Sequence, residues 1–115
     1  MRTKHILVQT EFHPRLTGLL LLLNRQYITW RSELVITSGS ELDEPHSRTS
    51  LHYAGCAVDI RSRRTGKMPW PTFQLVALRQ IIDEYCSLVG IPNDWFDLVL
   101  EKNHLHLEYQ PKRIN

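Results

Sequence analysis

The sequence predicts an α+β domain, a small and mostly antiparallel sheet with helices packed against it. Two segments repeat their apolar residues at the spacing of a helix face, and strand-like segments, β-branched or alternating apolar with polar residues, lie between and after them. The order helix, strand, strand, helix, hairpin is that of an α+β fold rather than of a parallel α/β sheet. A chain of 115 residues with 42% hydrophobic residues suits one modest core. A single domain over 1–115 is therefore expected.

The first helix is expected from about Pro14 to Trp30. Leu16, Leu19, Leu20, Leu23, Tyr27 and Trp30 fall on one stripe, and Pro14 suits a first turn, where its missing N–H costs nothing. Leu19 to Leu23 is the most apolar run, but a membrane span needs roughly 20 such residues. It is expected in a buried helix, and no membrane span is expected. Glu33 to Ser38 is β-branched and bounded by Gly39, which reads as a strand running into the polar loop Ser40 to Thr49. Ala57 to Arg61 reads as a short strand, and Ser62 through Gly66 to Pro71 as a charged, turn-rich connection.

A second helix is expected from about Thr72 to Val89, with Leu75, Leu78, Ile82, Tyr85, Cys86 and Val89 as its stripe and Gly90 as a left-handed cap. Trp95 to Leu100 and His104 to Tyr109 are strand-like. The short link Glu101-Lys102-Asn103 favours an antiparallel hairpin between them. Alternation in the last strand puts His104, His106 and Glu108 on one face and Leu105, Leu107 and Tyr109 on the other. The leucines are expected to bury and the histidines to face a cleft.

Net charge is +2, with the basic excess in Arg61, Arg63, Arg64, Lys67 and the tail Lys112-Arg113. Such a patch suits an anionic polymer, and equally a solvated loop. No basic run is interleaved with aromatics in the manner of single-strand binding, so nucleic acid is not an expected partner. Cys56 and Cys86 read as reduced core residues, and Trp70, Trp95 and Tyr53, near element ends, as mostly core. No apolar stretch of signal length directly follows Met1-Arg2-Thr3-Lys4-His5. The expectation is a monomer that is cytoplasmic as synthesised.

The residues that carry chemistry are His52, Asp59 and the pair in His104-Leu105-His106. Catalytic zinc takes three protein ligands of imidazole and carboxylate type and leaves the fourth position to water. A pair of ligands from one loop-strand unit, with a third from a distant strand, would let the fold set that geometry.

Ser50, His52, Gly55, Ala57 and Asp59 meet a Ser-x-His-x-x-Gly-x-Ala-x-Asp pattern, and His-x-His-x-Glu-Tyr follows downstream. Over residues of about 34 to 110 the chain resembles the zinc peptidases of peptidoglycan. These comprise D-alanyl-D-alanine carboxypeptidases and L-alanyl-D-glutamate endopeptidases, whose wider group includes lysostaphin and the hedgehog signalling domain. The short phage-type members are similar in their last strand. The resemblance implies a hedgehog/DD-peptidase-like fold, a Zn2+ cofactor and hydrolysis of peptidoglycan stem peptides, as by an endolysin acting at the bacterial cell wall once released.

The resemblance implies the ligands His52, Asp59 and His106, with His104 stabilising the oxyanion. Its catalytic acid lies three residues before the last ligand, where this chain has Asn103. An amide takes no proton from water at neutral pH, so in this register three explanations stay open: Glu101 is the substitute base, the chain is an inactivated variant, or it is a natural binding-only relative. In the other register Glu101 and His104 form the acid-x-x-ligand unit. A zinc domain without turnover, binding wall peptides or a protein partner, is the alternative function. Family members hold a substrate carboxylate with the motif serine and an upstream arginine; Ser50 fills the first role and Arg48 is the nearest candidate for the second, because Ser38-Gly39-Ser40-Glu41 lacks the arginine.

Overall fold

A computed structural model describes residues 2–3, 12–38 and 56–111. The elements run β1 (Arg2–Thr3), α1 (Pro14–Thr29), β2 (Val35–Ser38), β3 (Ala57–Arg61), α2 (Pro71–Val89), a 3-10 turn (Asn93–Trp95), β4 (Phe96–Leu100) and β5 (His104–Tyr109). The sheet has five strands in the order β1-β2-β3-β5-β4. Every pairing is antiparallel except β1 with β2, which is parallel. The architecture is α+β.

Helix α1 begins at His13, whose Nδ1 accepts the Arg15 N–H at 3.2 Å. Leu16, Leu19, Leu20, Leu23 and Tyr27 are buried along one stripe. The helix stops through Arg31, a non-glycine residue at φ 54, beyond which the Ser32 N–H bonds the Tyr27 carbonyl at 2.9 Å. A left-handed residue at this point satisfies carbonyls that the last turn leaves open. Gly66, at φ 58, packs on that turn so closely that a Cβ would overlap the Arg31 carbonyl. The connection after β3 is thereby docked on the end of α1, with the Lys67 N–H donating to the Trp30 carbonyl at 2.6 Å.

Helix α2 ends at Gly90, φ 76, as expected. Its buried positions are Gln74, Leu78, Ile82 and Cys86, with Leu75 and Tyr85 half-buried. Val89, expected on the stripe, is 42% exposed. It is the last helical residue, and only the capping glycine follows it. Trp95 belongs to the 3-10 turn rather than to β4. Arg79 pins that turn to α2 by donating to the Asn93 and Phe96 carbonyls at 2.6 and 2.7 Å while pairing with Asp83 at 2.9 Å.

Both helices cover the same side of the sheet, where their stripes meet Ile36, Val58, Ile60, Phe96, Leu98, Leu105, Leu107 and Tyr109. Cys86 lies in this core and Cys56 packs half-buried against it; burial pushes both thiols up. Trp70, expected in the core, is 61% exposed. It caps the start of α2, and the guanidinium of Arg64 stacks 3.9 Å from its ring centre.

Candidate functional site

Side chains alternate along a strand, so with Val58 and Ile60 in the core Asp59 points to the other side of β3, and with Leu105 and Leu107 in the core His104, His106 and Glu108 do the same on β5. The register makes Asp59 the Cα partner of His106, and Arg61 that of His104. A shift in the β2–β3 pairing between Ile36 and Ser38 lies beside Asp59, and Thr37 Oγ1 donates to the Asp59 carbonyl at 3.4 Å. Such irregularities twist a strand locally and re-aim its side chains.

Asp59 Oδ1 stands 2.6 Å from His106 Nδ1 and 3.7 Å from His104 Nε2. His106 Nε2 meets Glu108 Oε1 at 2.6 Å, and Gln110 Nε2 donates to the other Glu108 oxygen. His104 Nε2 is also 3.5 Å from Glu101 Oε1, while its Nδ1 meets Asn103 Oδ1 at 2.9 Å. The Asp59 and His106 side chains are only 16% and 18% exposed, so water screens their interaction weakly.

Both nitrogens of His106 face carboxylate acceptors, an arrangement only the imidazolium satisfies fully. Its pKa is pushed up to about 9, chiefly by the bond to Asp59, with burial opposing and Glu108 adding to the rise. At His104 the partner of Nδ1 is an amide oxygen, which can only accept, so Nδ1 carries the proton and Nε2 is the nitrogen turned toward Asp59 and Glu101.

Two imidazoles and a carboxylate are a donor set for zinc. Their outer atoms are held as ligand histidines commonly are, Nε2 of His106 by a carboxylate and Nδ1 of His104 by an amide. Donors sharing a tetrahedral zinc at about 2.0–2.1 Å lie about 3.3 Å apart. The 3.7 Å gap from His104 to Asp59 is near that spacing, whereas the 2.6 Å gap from His106 must open once its bridging proton leaves. Among the described residues no group of three His, Cys, Asp or Glu is arranged to hold a metal ion. A zinc site on this face needs a further donor from outside them, and His52 is the one the sequence offers.

Asp59, Glu101, Asn103, His104 and His106 are thus gathered at one end of β3 and β5. His52, Arg48 and Ser50 lie outside the described residues. One participant has no role assigned from sequence: Glu108 is legible as sharing the histidine face, but its grip on His106 Nε2 is not. No helix among the described residues is long and apolar enough to cross a membrane. No family model, curated protein or solved structure matches the chain.

Proposed function

We propose that the chain is a zinc peptidase that hydrolyses a peptide bond in peptidoglycan stem peptides, the L-Ala-D-Glu or the D-Ala-D-Ala bond, with His52, Asp59 and His106 as the metal ligands. The observation that carries this reading is the cross-strand pair of Asp59 and His106 at 2.6 Å, with His104 Nε2 3.7 Å from the same carboxylate oxygen. Zinc bound there supplies Lewis-acid polarisation of a carbonyl and a water of near-neutral pKa.

The remaining tasks fall to the chain's own side chains. Glu101 is half exposed on the β4–β5 turn and already reaches His104, so its carboxylate moves the proton from water to the leaving amine. Asn103 holds His104 by its Nδ1–H and keeps Nε2 aimed at the same space. Protonated, that nitrogen donates to the oxygen that gains charge. Ser50 and Arg48 take a substrate carboxylate, and the protein works as a monomer at the cell wall after release. A zinc domain that binds wall peptides or a protein partner without turnover is the second reading. Asn103 favours it, because its oxygen is engaged by His104 and an amide accepts no proton from water.

The test is release of new amino groups from purified peptidoglycan by the zinc-loaded protein, with a chelated sample and a zinc-restored sample beside it. Release that chelation abolishes and zinc restores is expected, and mass spectrometry of the products identifies the bond. Wall binding without release supports the second reading. Failure to take up zinc at all overturns both.

A further inference from the structure

The connection after β3 and the β4–β5 turn face each other across a cleft of about 400 Å³ whose walls include Arg63, Arg64, Trp70, Lys102 and Asn103 and, among the described residues, no acidic side chain. Arg63 and Lys102 have no ion-pair partner among the described residues. Three cations in one cleft repel one another, and a bound anion removes that repulsion.

The cleft is built rather than loose. Arg64 donates from Nε to the Met68 carbonyl at 3.2 Å and sets its guanidinium carbon over the Trp70 ring, 3.9 Å from its centre, so two contacts restrain the group. A restrained guanidinium presents two parallel N–H groups to a carboxylate, with less entropy left to lose than a free side chain has. The backbone beneath is clamped by the buried Gln74, whose Nε2 donates to the Ser62 and Pro69 carbonyls at 3.0 and 2.9 Å. Trp70, 61% exposed, leaves apolar surface open beside the charges.

Asn103 belongs to this cleft and also holds His104 Nδ1 at 2.9 Å. The Ser62 N–H meets the Asn103 carbonyl at 3.4 Å, and Arg61 is the Cα partner of His104. The cationic cleft therefore opens beside the Asp59, His104 and His106 cluster. We propose that it is a subsite for a carboxylate of the stem peptide next to the scissile bond, gripped by Arg64 and Arg63, with Lys102 at the rim and the ligand's apolar part on Trp70. The identity of the ligand rests on the peptidase reading; the preference for a carboxylate rests on the cleft.

The experiment measures binding of a soluble stem pentapeptide with free carboxylates, and of the same peptide amidated, to the zinc-loaded protein by calorimetry and Trp fluorescence. The free acid is expected to bind about ten- to a hundredfold tighter, the range of a charge-assisted pair. Arg63→Ala/Arg64→Ala/Lys102→Ala should erase that preference while leaving zinc content unchanged, and Trp70→Ala should weaken both peptides. Equal binding of acid and amide, no binding of either, or an unchanged preference in the triple variant overturns the subsite. Tighter binding of a single-stranded oligonucleotide than of the free acid overturns it in favour of nucleic acid. Zinc measured on the same samples keeps the two readings apart, since a wild-type protein that holds one zinc per chain and shows no preference for the free acid sinks only the subsite, and missing zinc sinks only the metal site.

Discussion

Asp59 Oδ1 and His106 Nδ1 stand 2.6 Å apart on residues that are Cα partners across β3 and β5. The strands fix how closely the two backbones approach, so exchange of the bridging proton for a metal would need only side-chain rotation. The proposed metal binding would thereby depend on the sheet register, since a slip of one residue would turn His106 into the core.

Asp59→Ala and His106→Ala should each weaken zinc binding by more than about a hundredfold, beyond the usual effect of losing an outer partner. His104→Ala should keep one zinc per chain. Metal analysis by mass spectrometry after dialysis reads this directly. Retention by His106→Ala with loss on His104→Ala would instead make Glu101 and His104 the acid-x-x-ligand unit.

Glu101→Gln should lower peptidoglycan hydrolysis by about 100- to 10,000-fold with zinc content unchanged, the usual worth of general acid-base assistance. Asn103→Asp should not raise the rate, because residue 103 holds His104 Nδ1 rather than the attacking water. A large gain from Asn103→Asp with no loss from Glu101→Gln would place the base at residue 103.

The metal-free protein should lose stability as pH rises. Folding raises the His106 pKa from 6.5 to about 9, so the folded state holds this proton more tightly than the unfolded state does. The stabilisation is complete below about pH 6.5 and disappears as pH climbs through about 9. The raised thiols of Cys56 and Cys86 add a slope of the same sign, so the measure is the difference between wild type and His106→Gln. Urea melts of chelated protein at pH 6 and pH 9.5 check it; a difference that stays constant or grows with pH would contradict the assignment.

The helix faces and the histidine face were legible because both follow a period. The five leucine and tyrosine positions of α1 and the alternation of His104 to Tyr109 appear in the structure as read. Strand β1 was not legible, since two residues carry no period and its pairing is with a strand far along the chain. The 2.6 Å meeting of Asp59 with His106 depends on a register between distant segments that neither strand specifies alone. Trp70 departed from a core role because a cation covers its ring instead of apolar neighbours. Gln74 was missed for the opposite reason: a polar residue at a buried helix position breaks the apolar pattern, and its partners lie in the preceding loop.

Gln74 gives the last prediction. Its side chain is fully buried, with Nε2 donating to the Ser62 carbonyl at 3.0 Å and the Pro69 carbonyl at 2.9 Å, while Oε1 has no partner among the described residues. Gln74→Leu keeps most of the volume and removes both donors, stranding two carbonyls where water reaches poorly. Each stranded group costs about 1–3 kcal/mol, and relief of the unpaired Oε1 returns part of that. The net loss should be about 1–3 kcal/mol, a fall in Tm of several degrees for a domain of this size. Zinc content should not change, because Gln74 packs under the connection after β3 and not against the histidine face. Denaturant melts read the loss, and an unchanged midpoint would show that the two bonds contribute nothing net to holding that connection on α2.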